Sequence, residues 1–352
     1  MRSLAVLVAA CVCSAADLSD RIREIMTAAP EAQQCFWGIR VNDAESGDEI
    51  FSLNENRFFV PASNTKLFTT SLALLRLGPD YRFRTKIEAD SLPDAQGRVH
   101  ELRLIGGGDP NLSARLLPYN KDETGADPLA ALRAMADQVV ALGVRVVGGE
   151  LTGDDTAYLW EPFPDGWSVD DPVYEYGAPV SALTMNDNSF KVTVLPGASV
   201  GLPATLTLTP TLEYLTIHNR TQTVAIGPAR IRYSRIPGSR DLLVSGTILL
   251  DAGEPLTAVL AIDDPALFAV EALRKLLEER GVRIEGQSRA IHRRPDEDAS
   301  GWTGTEIASH ESAPLSQILQ VINKVSQNLH TELVLREIAR VKNGVGSRSG
   351  GL

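Results

Sequence analysis

Cysteine is scarce in this chain. Three occur in 352 residues, and two of them, Cys11 and Cys13, lie near the N-terminus. Removal of a leader there would leave Cys35 alone, which excludes an intrachain disulfide framework. Aromatic residues are few, at 6%. No later window approaches the roughly eighteen apolar residues of a membrane span. Lysine and arginine form no cluster and the formal net charge is −11, so no nucleic-acid surface is expected. The five histidines, His100, His218, His292, His310 and His330, lack metal-ligand spacing. Gly106-Gly107-Gly108 is followed by Asp109-Pro110, which reads as a tight turn and not a phosphate loop. Gly286-Gln287-Ser288-Arg289-Ala290 lacks the final glycine of a nucleophile elbow.

The start of the chain has a basic residue, Arg2, then an apolar run, then small residues up to Ala16. That pattern reads as a secretory signal over residues 1–16, with export to a periplasm or cell envelope. Val8-Ala9-Ala10-Cys11 offers a second reading, a lipoprotein site anchored at Cys11, although the segment before it is short for that. The remainder is long enough for two or more domains.

The most informative stretch is Pro61-Ala62-Ser63-Asn64-Thr65-Lys66. Residues three apart share a helix face, so the Lys66 amine can sit beside the Ser63 hydroxyl. A serine hydroxyl needs a neighbouring base to act as a nucleophile. A lysine serves only if burial lowers its pKa. The apolar run Leu67, Phe68, Leu72, Leu74 and Leu75 is expected to bury that helix. The competing reading is an ordinary helix start, with Ser63 as N-cap and Lys66 in solvent. Ser-x-x-Lys arises by chance roughly once in a chain of this length.

A second element shifts the balance. Leu315, Ile318, Leu319 and Ile322 fit one helix face, and Ser326-Gln327-Asn328 follows before a second helical stretch from about Thr331 to Val341. A polar triplet between helices can aim a hydroxyl and an amide into a cleft, or simply be a solvated turn. His330 reads as a solvated or packing residue.

Together these residues resemble the penicillin-binding D-alanyl-D-alanine carboxypeptidase/endopeptidase family, the low-molecular-weight class C group (peptidase family S13). Such proteins share Ser-x-x-Lys, Ser-x-Asn and Lys-Thr-Gly elements. Ser63 to Lys66 is similar to the first and Ser326 to Asn328 to the second. Gln327 stands where the group usually has Asp, and no chemistry is expected of that middle side chain. The 263 positions between the two serines match the large insertion of this group. Gly106 to Leu112, Gly153 to Tyr158 and Tyr176 to Leu183 are also similar to it. The third element is not found: no Lys-Thr-Gly occurs, and only 24 residues follow Asn328. The chain is therefore expected to stop inside the catalytic domain, short of the strand that receives the substrate carboxylate and lends an oxyanion donor. Loss of one such donor costs on the order of 10²–10³ in rate, so little activity is expected of the chain as written.

The fold implied is α/β: a β-lactamase/transpeptidase-like domain at 20–88 plus 263–352, incomplete at its C-terminal end, split by a β-rich insertion at 89–262. The resemblance implies serine-type hydrolysis of peptidoglycan stem peptides through an acyl-enzyme at Ser63, with β-lactams as inhibitors. Lys66 takes the hydroxyl proton, Ser326 returns one to the leaving amine, and Asn328 holds the substrate amide. Asp154 is expected to face the substrate from the insertion. No metal or organic cofactor is implied. Two alternatives stay open: a non-catalytic cell-wall-binding protein, and another serine hydrolase, such as a β-lactamase or D-aminopeptidase, on the same frame.

Overall fold

The computed structural model describes residues 15–123, 127–236, 238–298 and 301–352. The leader expected at residues 1–16, Cys11 included, lies outside them apart from its last two residues. The chain divides into two units, Met1–Ala62 and Ser63–Leu352.

In the first unit, helices α1 (Ala15–Ala28) and α2 (Pro30–Gln33) precede a hairpin of β1 (Ile39–Asn42) and β2 (Glu49–Leu53). The turn forms where Glu45-Ser46-Gly47 predicts it. Asp43 Oδ1 accepts the backbone N–H groups of Glu45 and Ser46, which is the Asx geometry that makes aspartate a turn former.

The second unit opens with helix α3 (Thr65–Arg76). Then come β3 (Arg84–Ala89), β4 (Arg98–Val99), β5 (Leu102–Ile105), α4 (Ala130–Ala141), β6 (Val146–Val147) and β7 (Leu151–Leu159). Six strands follow: β8 (Ser189–Leu195), β9 (Thr205–Thr209), β10 (Thr216–Val224), β11 (Arg230–Arg235), β12 (Asp241–Leu249) and β13 (Leu256–Ala261). The chain finishes with α5 (Pro265–Glu278), β14 (Arg283–Ile284), β15 (Ser288–Arg293), β16 (Thr305–Glu311), α6 (Leu315–Val325), α7 (Asn328–Asn343) and α8 (Arg348–Gly351).

The central sheet has the order β15-β7-β5-β3-β16. It is parallel from β15 to β5 and antiparallel at β3 and β16. Ile87, Leu102 and Leu104 from this sheet pack with Leu132 and Met135 of α4 and Leu273 of α5 in one core. Two three-stranded sheets, β13-β8-β9 and β10-β12-β11, together with a short β14-β6-β4 ladder, complete the β-rich part. The insertion boundaries expected at 88/89 and 262/263 do not divide this sheet. β3 straddles the first, and β15 and β16, from beyond the second, pair with β7 and β3.

The helical layer holds the second core. Ala73 of α3 packs with Phe83, Leu315, Ile318 and Ile322 of the α6 side and Val334 of α7. The α6 face is the one its spacing predicts. The α3 face is not. Leu67, Phe68, Leu74 and Leu75 are exposed, Leu75 at 82%, and the buried stripe is Lys66, Thr70 and Ala73. These three positions recur at helical spacing. Small and short side chains at 70 and 73 bring α3 close to α6 and α7 and turn the lysine inward.

Candidate active site

Ser63 sits in a 3₁₀ turn, Ala62–Asn64, at the entrance to α3, and Lys66 follows in the first turn of that helix. The other two residues arrive from the α6–α7 junction, which is tighter than a polar triplet suggests. Ser326 alone caps α6, with φ 63 and ψ 41. Gln327 is already the N-cap of α7, and Asn328 is that helix's first residue. A left-handed residue commonly ends a helix, but it is usually glycine. Here a serine takes that conformation and presents its hydroxyl.

These elements bring Ser63, Lys66, Ser326 and Asn328 together around one nitrogen. Lys66 Nζ donates to Ser63 Oγ at 3.1 Å, to Ser326 Oγ at 3.3 Å and to Asn328 Oδ1 at 2.7 Å. Ser326 Oγ donates to Ser63 Oγ at 2.9 Å. An ammonium has three protons, and each has an acceptor. Lys66 is only 8% exposed, and burial pushes its pKa below the ordinary lysine value. Loss of one proton leaves a lone pair within reach of either hydroxyl. Asn328 Oδ1 can only accept, so it holds the amine by a remaining N–H. Asn328 Nδ2 donates to the Tyr176 carbonyl at 3.0 Å, which leaves its second hydrogen for another acceptor. Tyr176 is half exposed and stacks on Tyr174 with ring centroids 5.7 Å apart.

Asp154 does not join this cluster. It lies on β7 and is buried at 3% exposure. Its Oδ1 accepts both the backbone N–H and the hydroxyl of Thr156, and Oδ2 lies 3.6 Å from Arg103. Side chains alternate across a strand, so its neighbour Asp155 points the other way, to Ser181 and His292. Asp154 is a satisfied core carboxylate and none of its partners touches Ser63.

Four residues behind the cluster carry no local signal in the sequence. Gln327 Oε1 accepts the Leu329 N–H, and Gln327 Nε2 donates to Asp187. His330, expected in solvent or in packing, is fully buried and bonded to the same Asp187. Arg115 pairs with that carboxylate through two nitrogens. The one hint available was Asn186-Asp187-Asn188, three residue types that tolerate left-handed backbone. All three adopt it.

The arrangement places a serine hydroxyl beside a desolvated amine, with a second hydroxyl and an amide oxygen on the same nitrogen, which is the chemistry a serine nucleophile and its base require. Among the described residues no group of three or more His, Cys, Asp and Glu is placed to hold a metal ion.

The comparisons with known proteins agree with one another. The chain is 35% identical over 335 residues to the D-alanyl-D-alanine carboxypeptidase of Actinomadura sp. (strain R39), covering 92% of this chain and 57% of that protein. It is 24% identical over 344 residues to the penicillin-sensitive carboxypeptidase A of Dictyostelium discoideum, at 92% of this chain and 62% of that one. Its fold is similar to the crystal structure of penicillin binding protein 4 from Haemophilus influenzae, with a TM-score of 0.72, 18% identity and coverage of 89% of this chain and 65% of that chain. The chain thus spans less than two thirds of the length of these proteins. The profile of the D-Ala-D-Ala carboxypeptidase 3 (S13) family matches residues 18–352. With that match over nearly its whole length, the chain belongs to the D-Ala-D-Ala carboxypeptidase 3 (S13) family.

Proposed function

We propose that this chain carries the nucleophile, base and proton-return groups of a serine-type D-Ala-D-Ala carboxypeptidase/endopeptidase, exported to the periplasm or cell envelope and acting on peptidoglycan stem peptides. The observation that carries the reading is the single lysine nitrogen within hydrogen-bond distance of both serine hydroxyls and of Asn328. The family and the names of the relatives supply the substrate class. A β-lactam complex of the Haemophilus protein supports inhibition by the same chemistry.

Neutral Lys66 takes the Ser63 proton as Ser63 Oγ bonds to the carbonyl carbon of the scissile D-Ala-D-Ala or D-Ala-diaminopimelate bond. The C–N bond then breaks. Lys66 passes a proton to Ser326 Oγ as Ser326 gives its own to the leaving amine, so the lysine ends neutral. Water attacks the ester and restores the Ser63 hydroxyl. The free Asn328 N–H holds the substrate amide. The 2.9 Å contact between the two hydroxyls lies within ordinary O–H···O range and joins the departure and return paths.

The test is covalent labelling. Incubation of the full-length protein with a fluorescent penicillin is expected to modify Ser63, located by mass mapping of the labelled peptide, and Ser63→Ala is expected to remove the label. D-alanine release from a stem pentapeptide is expected to follow the same pattern. Labelling at another serine, or D-alanine release that survives Ser63→Ala, would overturn the proposal.

A further inference from the structure

The α6–α7 junction needs something to hold it, because its geometry is not what a helix end adopts by default. Ser326 is left-handed without being glycine, at φ 63. Facing it is a second left-handed turn: Asn186, Asp187 and Asn188 have φ 49, 55 and 50. Backbone in such regions persists where its surroundings over-determine it, and it concentrates at functional sites. Both flanks of the second turn are pinned. Asn186 Nδ2 donates to the Ser189 carbonyl at 2.9 Å, and Asn188, fully buried, donates to the Pro179 carbonyl at 2.8 Å. Asp187 between them is directed at α7.

We propose that Asp187 is a positioning residue that holds Ser326 and Asn328 in register with Lys66, acting through Gln327 and His330. The inference rests on the catalytic reading above. The Asp187 carboxylate takes His330 Nε2 on Oδ1 at 2.8 Å and Gln327 Nε2 on Oδ2 at 3.3 Å. One carboxylate therefore grips the first turn of α7 at two points, on either side of Asn328. Gln327 is the residue between the two reacting ones, so its placement fixes theirs. Arg115 anchors the carboxylate from behind at 3.1 and 2.5 Å. Arg115 is itself tied to Asn111, in the loop that follows the three glycines. At Gly106 a Cβ would lie 2.3 Å from the Ala182 carbonyl, so that loop and the 181–188 segment are built against each other.

The protonation states agree with a fixed bracket. Burial alone would raise Asp187, but the hydrogen bond from His330 and the Arg115 guanidinium outweigh it and hold the carboxyl ionised. Burial lowers the pKa of His330, and its Nδ1 has no partner. A neutral ring therefore carries its proton on Nε2, toward Asp187, where the proton is used. Gln327 supplies both a helix cap and a strut, and these two roles can be separated.

Gln327→Glu keeps an oxygen to cap Leu329 and replaces the amide donor by a charge that repels Asp187. Gln327→Met loses both. The rate of acylation by penicillin, the dissociation constant of the initial complex and the thermal midpoint are measured for each. A strut predicts that Gln327→Glu slows the acylation step by roughly tenfold to a hundredfold, as small misplacements of reacting groups do, while initial binding stays within about threefold. A cap alone predicts that Gln327→Glu acylates like wild type and only Gln327→Met suffers, which overturns the proposal. Asp187→Asn is a third variant, and because it strands Arg115 it is read only if it folds. Crystal structures of the Gln327 variants keep the question separate from the function proposed above. If the wild type is never acylated, that function fails. The bracket is then judged by whether Ser326 Oγ leaves Lys66 Nζ in Gln327→Glu. If it stays at the wild-type distance, the bracket is refuted.

Discussion

Lys66→Met removes the amine that bonds Ser63, Ser326 and Asn328 and leaves a side chain of similar length. Two opposite consequences follow. A positioned group that accepts the proton in the transition state contributes on the order of 10²–10⁴ in rate. At 1.36 kcal/mol per factor of ten, that is about 2.7–5.4 kcal/mol of barrier. The acylation rate is expected to fall by that factor. Stability is expected to move the other way. Burial depresses the lysine pKa in the fold, whereas in the unfolded chain it titrates near the ordinary value of about 10.4. Between those two values the unfolded chain binds more protons, so stability rises with pH. Below the folded pKa the full penalty of burying the cation is present. Methionine has no charge to desolvate. Two of the abandoned acceptors are serine hydroxyls exposed to water and the third is the half-buried Asn328, so solvent replaces the lost bonds.

A net gain of about 1 kcal/mol is the expected scale, since solvent replaces the lost hydrogen bonds and the relieved desolvation is of that order. A midpoint rise of about 1–2 °C corresponds to it in a chain of this length. The assay is stopped-flow acylation by a fluorescent penicillin beside calorimetry at neutral pH. Wild-type acylation is expected to rise with pH through the depressed lysine pKa and then level. Lys66→Arg, which stays protonated throughout, is expected to lose that rise along with the rate. Acylation of Lys66→Met within about tenfold of wild type would refute the base assignment. A lower midpoint would refute the desolvation argument.

Three other outcomes are expected. Ser326→Gly and Ser326→Ala both lose the hydroxyl and are expected to release D-alanine slowly. Calorimetry should find the glycine variant the more stable by about 1 kcal/mol, because φ 63 suits glycine and strains alanine. Asp109 is 1% exposed, its Oδ2 has no hydrogen bond and lies 3.6 Å from His310 Nε2, and burial raises its pKa to about 7. The folded chain then holds an extra proton between the ordinary carboxylate range and pH 7, so stability falls as pH rises through that window. Asp109→Asn is expected to gain up to about 4 kcal/mol at pH 8 and nothing at pH 3.5, read by denaturant unfolding at the two pH values. His292 donates toward Asp155 at 3.0 Å and Asp264 at 3.3 Å and lies on the Trp160 ring. Burial would lower its pKa, but the two carboxylates outweigh that and raise it to about 10. Its contribution to stability is expected in full below pH 6.5 and lost as pH climbs through 10. Proton NMR should find this imidazole still charged at pH 8.

The meeting of Ser63, Lys66, Ser326 and Asn328 was legible because each half of the group is local. Ser63 and Lys66 are one helical turn apart, and Ser326 and Asn328 bracket a break between two apolar stripes. Local spacing carries that kind of information. The β-rich character of 89–262 was legible for the same reason, since segments such as β9 and β12 are rich in strand-forming residues. What failed depends on distant partners. Gly153, Asp154 and Asp155 are poor strand formers, yet β7 is parallel-paired on both sides through β5 and β15, and that tertiary pairing overrides their preference. A loop aspartate facing substrate thereby became a core carboxylate facing Arg103. The boundary drawn at 88/89 falls within β3, which finds β5 nearby but β16 more than two hundred residues on.

The α3 face and Gln327 teach a related lesson about residue type. The apolar positions of α3 were assigned inward, the safer rule in general. α3 breaks that rule at Lys66, which is buried with its pKa lowered by desolvation, and such local violations concentrate at functional sites. Gln327 was discounted because a middle residue does no chemistry. In the fold it caps α7 with one end and meets Asp187, 140 residues away, with the other. Ser63 with Lys66, and Ser326 with Asn328, can be found by their own spacing. Gln327 and Asp187 answer to geometry set 140 residues apart, which no local spacing reveals.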